Sequence, residues 1–377
     1  MHIAIEARSL SASMGIKTYT RELLRELSRD SAATYSVIYD NARHEGTFTH
    51  MRELTVPLSH EALLLLWLWW QVPWALRRLR PDVVHFTKAA VPLKKIAPTV
   101  VTIYDVIPLL FPQSQRLTRR WYWPLTLVHA ARTSDHIITI SDSSKRDISN
   151  HLQVPLEKIT VTPLAVNQQQ FTRAGEAAIQ QFRQATQLLN PYILFVGTLE
   201  PRKNIPALIA AFSAIAATVP HDLVIAGKRG RGYEAVLRAK SRSVVAARIK
   251  ILEMVSPLNL PTLYSGADLF VWPSVYEGWG LPPLEAMACG TPIIVSDGGA
   301  LPEVVGRAGI VVPFGVGVIA KRTGDRDFQS RLSQAIKALA QDEQKKIALR
   351  QAGQMHVQGF SWAQVAETTR AVYASLV

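Results

Sequence analysis

Short apolar runs alternate with stretches of helical period along the chain, and the whole alternation happens twice. His2–Ala7 reads as a strand, and a turn at Ser13-Met14-Gly15 follows. Leu23, Leu24 and Leu27 then fall at three- and four-residue spacing and predict a helix over Lys17–Leu27. Val37–Tyr39, Val83–Phe86, Thr99–Tyr104 and His136–Ile140 are further strand candidates, with helical patterns between most of them. The pattern restarts at Tyr192–Val196, with a helix predicted from Asn204 to Ala217. Leu223–Ala226, Ile249–Leu252, Leu269–Trp272, Ile293–Val295 and Ile310–Val312 repeat the strand theme. Strands alternating with helices imply parallel sheets covered on both faces.

Between the two series lies Asn167–Asn190, polar, Gln-rich and without a clear strand, so the domain junction is expected there. The expected division is 1–180, 181–360 and a last helix in 361–377, starting at Phe360-Ser361-Trp362 and crossing back to the first domain. Two doubly wound α/β domains would bind ligands at the carboxyl ends of their strands, in a cleft between them.

At 377 residues the chain is long enough for two such domains. Its net charge is +13, from 22 basic and 15 acidic residues up to position 188 and 20 and 14 beyond it. The excess is therefore spread over both halves. It fits a phosphate-bearing substrate or an anionic membrane surface. No nucleic-acid reading motif accompanies it, so no nucleic-acid partner is expected. The single cysteine, Cys289, excludes a disulfide framework and reads as a small buried hydrophobe in a reducing compartment. Residues 1–10 show no signal-peptide pattern, and the most apolar window, Ala62–Trp70, falls short of the ~20 residues a membrane span needs. The expected location is cytoplasmic, or peripheral on the inner face of a membrane.

Neither half carries a G-x-G-x-x-G fingerprint after its first strand, which disfavours a dinucleotide dehydrogenase. The segment richest in chemistry is Pro273–Pro292, after the strand Leu269–Trp272. There Glu277 and Glu285 flank Gly278-Trp279-Gly280. The glycines permit positive φ and close backbone approach. Pro282 and Pro283 suit the first turn of a helix whose free N–H groups favour a diphosphate. Arg202 and Lys203 follow the strand Tyr192–Val196, at a carboxyl end where ligands bind. The only Asp-x-Asp, Asp325-Arg326-Asp327, lies in a polar stretch and reads as a solvated loop. The histidines show no metal-ligand spacing.

Glu277 and Glu285 with their glycines, prolines and Glu-Ala-Met-Ala-Cys-Gly-Thr-Pro run resemble the Glu-x7-Glu signature of retaining glycosyltransferase family 4, of the GT-B fold. The likeness extends to Gly15, Thr99–Pro112, Ser141–Ile148 and Gly197–Asn204. It implies two Rossmann-like domains facing a central cleft, and a retaining, metal-independent hexosyltransferase with no cofactor. By the same resemblance, Glu285 would hold the donor ribose and Glu277 the donor sugar. Arg202 and Lys203 would bind the diphosphate and stabilise the charge it gains on leaving. Gly15, Gly197, Gly278, Gly280 and Leu281 would complete the donor site. Tyr104-Asp105 stands where many members have His-Asp. Tyr104 can donate a hydrogen bond but carries no extra proton at neutral pH, and Asp105 is either an acceptor-side group or a cap. Ser141-Asp142-Ser143-Ser144 reads as a helix cap or a family site. The loop Gly227–Gly232 either lines the nucleotide pocket or is a solvated basic turn, and Glu253–Ser256 matches the loop that grips the base.

The implied partners are a nucleotide-sugar donor and a glycan or lipid-linked acceptor chosen by the first domain. Likeness to bacterial mannosyltransferases in Thr102–Pro112 points to mannose. Trp67, Trp69, Trp70 and Trp74 among leucines, then Arg77, Arg78 and Arg80, read as a membrane-interface helix or a core helix. Lys94, Lys95, Arg116, Arg119, Arg120, Trp121 and Trp123 add charge and aromatics nearby. The rival readings are another GT-B sugar-nucleotide enzyme, such as an epimerase or phosphorylase, and a noncatalytic sugar- or lipid-binding module.

Overall fold

The computed structural model describes residues 1–377 apart from 12–13, 49, 61–62, 113–121 and 316–323. Ser13, Glu61, Ala62, Arg116, Arg119, Arg120 and Trp121 thus lie outside the described residues. The chain forms two compact units, Met1–Leu164 with Ser361–Val377, and Ala165–Phe360.

The first unit runs β1 (His2–Glu6), α1 (Met14–Leu27), β2 (Thr34–Tyr39), β3 (Arg52–Thr55), α2 (Leu64–Leu66), a π-helical turn at Trp67–Gln71 and α3 (Val72–Leu79). Then come β4 (Val83–Phe86), β5 (Thr99–Thr102), α4 (Ile107–Leu110), α5 (Tyr122–Thr133), β6 (His136–Thr139), α6 (Asp142–Leu152) and β7 (Ile159–Val161). Its sheet is parallel, in the order β3-β2-β1-β4-β5-β6-β7. The second unit begins with α7 (Glu176–Ala185) and β8 (Tyr192–Val196), followed by α8 (Ile205–Ile215), β9 (Asp222–Ala226), α9 (Tyr233–Arg242) and β10 (Ile249–Leu252). It continues through α10 (Leu260–Ser265), β11 (Leu269–Trp272), α11 (Leu281–Ala288), β12 (Ile293–Ser296), α12 (Leu301–Val305), β13 (Ile310–Val312), α13 (Arg326–Ala340) and α14 (Glu343–His356). Its parallel order is β10-β9-β8-β11-β12-β13. The last helix, α15 (Trp362–Ala374), belongs to the first unit.

Burial explains the strand composition. Every residue of β8, β9, β11 and β12 is buried, so these segments read as unbroken Ile/Leu/Val/Phe runs and not as alternating ones. In each sheet the chain starts in the middle, builds one way, then returns to build the other. The reversal falls between β1 and β4 in one sheet and between β8 and β11 in the other. At such a point the loops at neighbouring carboxyl ends diverge and leave a crevice, where open α/β sheets bind ligands.

The division after Leu164 falls earlier than the expected 180. Residues before α7 are tied to the end of α10: the Ala174 N–H donates to Ser265 Oγ at 2.9 Å, and Arg173 Nη1 donates to the Ser265 carbonyl at 3.5 Å. The Gln-rich stretch therefore contains a helix, α7, whose buried Ile179 packs beside Gly266. α15 is held to the first sheet from within. The Tyr373 hydroxyl lies 2.6 Å from Nδ1 of His85, whose Nε2 lies 2.8 Å from Thr102 Oγ1. All three residues are fully buried, and burial pushes the His85 pKa down to about 3, which keeps the ring neutral.

The aromatic stretch has two faces. Trp67 is buried and its Nε1 donates to the Val56 carbonyl at 2.7 Å, while Trp69 is partly buried. Leu63, Leu66, Trp70, Trp74, Arg77 and Arg78 are exposed in one stripe, with the Arg78 guanidinium 3.8 Å from the Trp74 ring centroid. Asp325 is not part of a solvated loop. It caps α13, accepting from the Asp327 and Phe328 N–H groups. Ser141 likewise caps α6, accepting from the Ser144 N–H at 2.9 Å.

Candidate active site

The second sheet's reversal point carries the densest chemistry. After β8 the chain turns through Pro201-Arg202-Lys203 and enters α8 by way of Asn204, held at φ +53. After β11, paired directly with β8, it reaches Glu277. The Val275 N–H donates to the Arg202 carbonyl at 2.9 Å, locking the two loops together. Arg202 Nη1 then lies 2.7 Å from Glu277 Oε2, and Lys203 Nζ lies 2.6 Å from Oε1. Arg202 Nη1 also donates to the Tyr276 carbonyl at 2.5 Å. Lys203 Nζ sits 4.3 Å from the centroid of the Trp272 ring, itself stacked on Phe195.

The partly buried Arg202 and the buried Lys203 share the buried Glu277 carboxylate, and Arg202 Nη2 also lies 3.8 Å from Oε2 of the half-exposed Glu200. Burial alone would push Glu277 up, but Arg202 and Lys203 together draw it down to about 2, and it is ionised at any working pH. Burial, and the Arg202 charge beside it, lower Lys203 to about 8 against the pull of Glu277. An entering anion would relieve this crowding of positive charge.

The backbone around Glu277 is set by a glycine pair absent from the sequence-derived site. The Glu277 N–H donates to the Gly298 carbonyl at 3.3 Å, and its carbonyl accepts from Ala300 at 2.9 Å. Gly299 takes φ +64, and a Cβ there would lie 2.3 Å from the Glu277 carbonyl oxygen. Only glycine fits a chain that passes so close. Asn204, buried with both amide atoms unpartnered among the described residues, is likewise an addition to that site, as is Trp272. A Gly-Gly pair after a strand is a legible signal; nothing in the sequence singles out Asn204.

Glu285 stands apart from this triad. It occupies the fifth position of α11, partly buried, and accepts from the Tyr264 hydroxyl at 2.8 Å. No cation pairs with its carboxyl among the described residues. Desolvation pushes it up to about 7, although the Tyr264 bond opposes the shift. Cys289 nearby is buried, and desolvation with the Glu285 charge raises it to about 12, leaving an inert thiol.

The expected donor-side glycines divide by role. Gly280 is the cap residue before α11, at φ +148, as the turn requires, whereas the buried Gly278 is not among the residues of positive φ. Leu281 is the first residue of α11. Gly197 packs under Trp272, where a Cβ would meet Cη2 at 2.8 Å. Gly15 is not in a loop but in the first turn of α1, where an added Cβ would meet nothing within 4 Å.

The Gly227–Gly232 loop is neither a pocket wall alone nor a free turn. It zips onto the loop after β8 through Leu199 N–H to the Lys228 carbonyl at 3.0 Å and Gly232 N–H to the Leu199 carbonyl at 2.8 Å. Arg229 makes a bidentate pair with Glu253, with both contacts at 2.8 Å, so the loops after β9 and β10 are joined.

Tyr104 and Asp105 lie in the first unit, after β5. The Tyr104 hydroxyl donates to the Thr87 carbonyl at 2.9 Å and its ring packs edge-on against Tyr19 at 5.3 Å. Desolvation holds it well above its ordinary pKa, so it stays protonated. Asp105 accepts from the Ile107 N–H at 2.9 Å, at the start of α4.

Two doubly wound parallel sheets, one in each unit, are the fold of the GT-B class of glycosyltransferase. The chain belongs to glycosyltransferase family 4: its amino-terminal model matches residues 14–170, and the group 1 glycosyl transferase model matches 178–356. It is 30% identical over 305 residues to O-antigen chain mannosyltransferase B of Escherichia coli, covering 80% of this chain and 77% of that one. It is 32% identical over 217 residues to the serotype-specific mannosyltransferase WbdA of the same organism, of whose length the match covers only 26%. In fold it is similar to HepE of Anabaena, solved in complex with UDP-glucose, with a TM-score of 0.74, 17% identity and 100% of both chains covered.

Proposed function

We propose that this glycosyltransferase moves a hexose, mannose first among the candidates, from a nucleotide-diphosphate sugar to a glycan or lipid-linked acceptor with retention at the anomeric carbon. The observation that carries the reading is the buried Arg202–Glu277–Lys203 cluster at the reversal point of the second sheet. Its two cations, placed beforehand by Glu277, suit a diphosphate and stabilise the charge that develops as that group leaves. The relative at 30% identity supports mannose, and the likeness to a fold solved with UDP-glucose supports a nucleotide-sugar donor.

The donor's anomeric C–O bond to the diphosphate breaks, and the acceptor oxygen bonds to the same carbon from the same face. The acceptor's proton passes to an oxygen of the departing diphosphate. Arg202 and Lys203 hold that diphosphate, so the charge work needs no divalent metal. Glu277 fixes both cations and offers its remaining lone pairs to the donor sugar. Glu285, with no cation beside it, accepts from the ribose hydroxyls. Tyr104 stands in place of the family's histidine beside the donor sugar, and Asp105 serves the acceptor side.

NMR assignment of the product anomer tests the reaction. A product whose anomeric configuration matches the donor is expected, at undiminished rate in a chelator; inversion, or loss of activity in the chelator, would refute retention or metal independence in turn. Comparing release of GDP, UDP and ADP from their mannose and glucose conjugates identifies the donor.

Among the described residues no helix is long and apolar enough to cross a membrane. The outward stripe of Leu63, Leu66, Trp70 and Trp74 ending in Arg77 and Arg78 is the surface by which we expect peripheral attachment to an anionic bilayer.

A further inference from the structure

The reversal point of the first sheet holds a second charged cluster, and the donor chemistry makes no use of it. β1 ends in Glu6, fully buried, and two residues on stands Arg8, only 4% exposed. The Arg8 N–H donates to Glu6 Oε1 at 2.8 Å, while its Nε lies 3.5 Å from Oε2, too far and too poorly aimed for a hydrogen bond. Nε, Nη1 and Nη2 of Arg8 and Oε2 of Glu6 have no hydrogen-bond partner among the described residues. A buried guanidinium that holds an ion pair but no hydrogen bond leaves its N–H groups unsatisfied, which calls for an explanation. Lys88 follows β4 next door, half-buried, and its charge is felt at Glu6. Asp40, at the end of β2, completes the rim.

Desolvation, only partly opposed by Arg8, raises the Glu6 pKa above its ordinary value, toward the neutral acid. Desolvation and the Arg8 charge lower Lys88 to about 8, still protonated at neutral pH. Arg8 and Lys88 are the cations here, with Glu6 and Asp40 as the neighbouring acids. A guanidinium whose fork-shaped donors hold no hydrogen bond matches the planar edge of an oxyanion.

We propose that Arg8 and Lys88 form an oxyanion site that grips a phosphate group carried by the acceptor. The inference rests on the assignment of the first unit to the acceptor. It adds the chemistry by which that acceptor is read. The Arg8 guanidinium lies 5.9 Å from the Trp67 ring, the inward tryptophan of the segment whose outer stripe bears Trp70 and Trp74. Arg8 thus lies on the inner side of that segment, and whether the phosphate is borne by a lipid or by a soluble sugar is decided by competition.

The test is calorimetric titration of the full chain with inorganic phosphate at constant ionic strength. Wild type is compared with Lys88→Gln, Arg8→Gln and Glu6→Gln. Titration with a nucleoside diphosphate reports separately on the second unit. Phosphate affinity should fall on the order of tenfold in Lys88→Gln and Arg8→Gln, as loss of a charge-assisted hydrogen bond predicts. It should rise in Glu6→Gln, where the competing acid is gone. Arg8→Gln tests folding as well as binding, but Lys88 is half-buried and its variant is expected to fold. Unchanged phosphate affinity in Lys88→Gln and Glu6→Gln would overturn the site and leave the donor assignment standing. Failure of every nucleoside diphosphate to bind wild type would instead strike at the proposed reaction. Hexose phosphate and phosphatidylglycerol vesicles then serve as competitors: displacement of phosphate by the first marks a soluble source, and by the second alone a lipid-borne one. Displacement by neither overturns the assignment to an acceptor.

Discussion

Lys203 and Glu277 stand 74 residues apart in sequence, yet Nζ and Oε1 meet at 2.6 Å. The contact exists because β8 and β11 are neighbours across the reversal of the sheet, so two remote loops share one crevice. Replacing Glu277 with Gln keeps the shape and removes the charge that holds both cations. Misplacement of such groups by about 1 Å costs on the order of a hundredfold in rate, and kcat of Glu277→Gln should fall by that order. A variant with wild-type kcat would show that the pair does not position the leaving group.

The lowered pKa of Lys203 makes nucleotide affinity depend on pH. A diphosphate binds the protonated amine, so affinity should be flat below about 8 and should fall as pH rises through that value. Calorimetry with a nucleoside diphosphate from pH 6 to 10 reads the effect. Proton uptake on binding near pH 8, seen in buffers of different ionisation enthalpy, is the companion signature. Affinity that stays flat to pH 10 would remove Lys203 from the diphosphate.

Glu285 presents the opposite sign. Its folded pKa of about 7 lies above the ordinary 4.5, so the folded state binds the proton more tightly than the unfolded chain. Below pH 4.5 both states are neutral and nothing is lost. The unfolded chain ionises as pH rises through 4.5, while the folded carboxyl keeps its proton to about 7, so stability is lost between those values and the full penalty stands above 7. Glu285→Gln should therefore be more stable than wild type at pH 8, by on the order of 1–2 kcal/mol, and equal to it near pH 4. Nucleotide-sugar affinity should fall in the same variant, because the ribose loses its acceptor. A melting temperature at pH 8 below that of wild type would contradict the uncompensated carboxyl.

The central strands of both sheets are legible because strands buried on both faces leave unbroken apolar runs, and β4, β8 and β11 match the expected bounds. The edge strands β3 and β7 are not. Arg52-Glu53-Leu54-Thr55 is half charged, since an edge strand meets solvent, and its pairing with β2 is a tertiary fact. Arg202, Lys203 and Glu277 are readable from their places after strands. What they do to one another is not, because sequence does not give strand order. Glu6 and Arg8 are hidden for another reason: charged residues beside a terminal strand look like surface, and only the fold reveals their burial. The domain boundary lies earlier than the composition suggests because α7 is polar on its outer face and so resembles a linker.

Gly15 offers a test that separates backbone from ligand. It sits in the first turn of α1 with helical φ and open space where a side chain would go. Alanine there should fold at least as well, by roughly 0.5–1 kcal/mol on helix propensity. If a ligand approaches this helix start, the methyl group should weaken binding while melting temperature holds or rises. Equal affinity for nucleotide sugar and acceptor in Gly15→Ala would show that the space has no ligand to receive.

The two faces of the Trp67–Trp74 segment predict opposite behaviour from one substitution. Trp67 is 1% exposed and hydrogen-bonded to Val56, so Trp67→Ala should cost about 3–5 kcal/mol of stability, as for other buried aromatics. Trp70 and Trp74 are 71% and 54% exposed, so Trp70→Ala and Trp74→Ala should change stability by no more than about 0.5 kcal/mol. The loss should appear instead in co-sedimentation with phosphatidylglycerol vesicles, greatest in the double variant. Aromatic rings at an interface bury their apolar faces among acyl chains, while Arg77 and Arg78 meet the anionic headgroups. Added salt should weaken what remains of the binding, because the arginine contribution is screened and the aromatic one is not. Equal sedimentation of wild type and the double variant would leave the stripe without a membrane role.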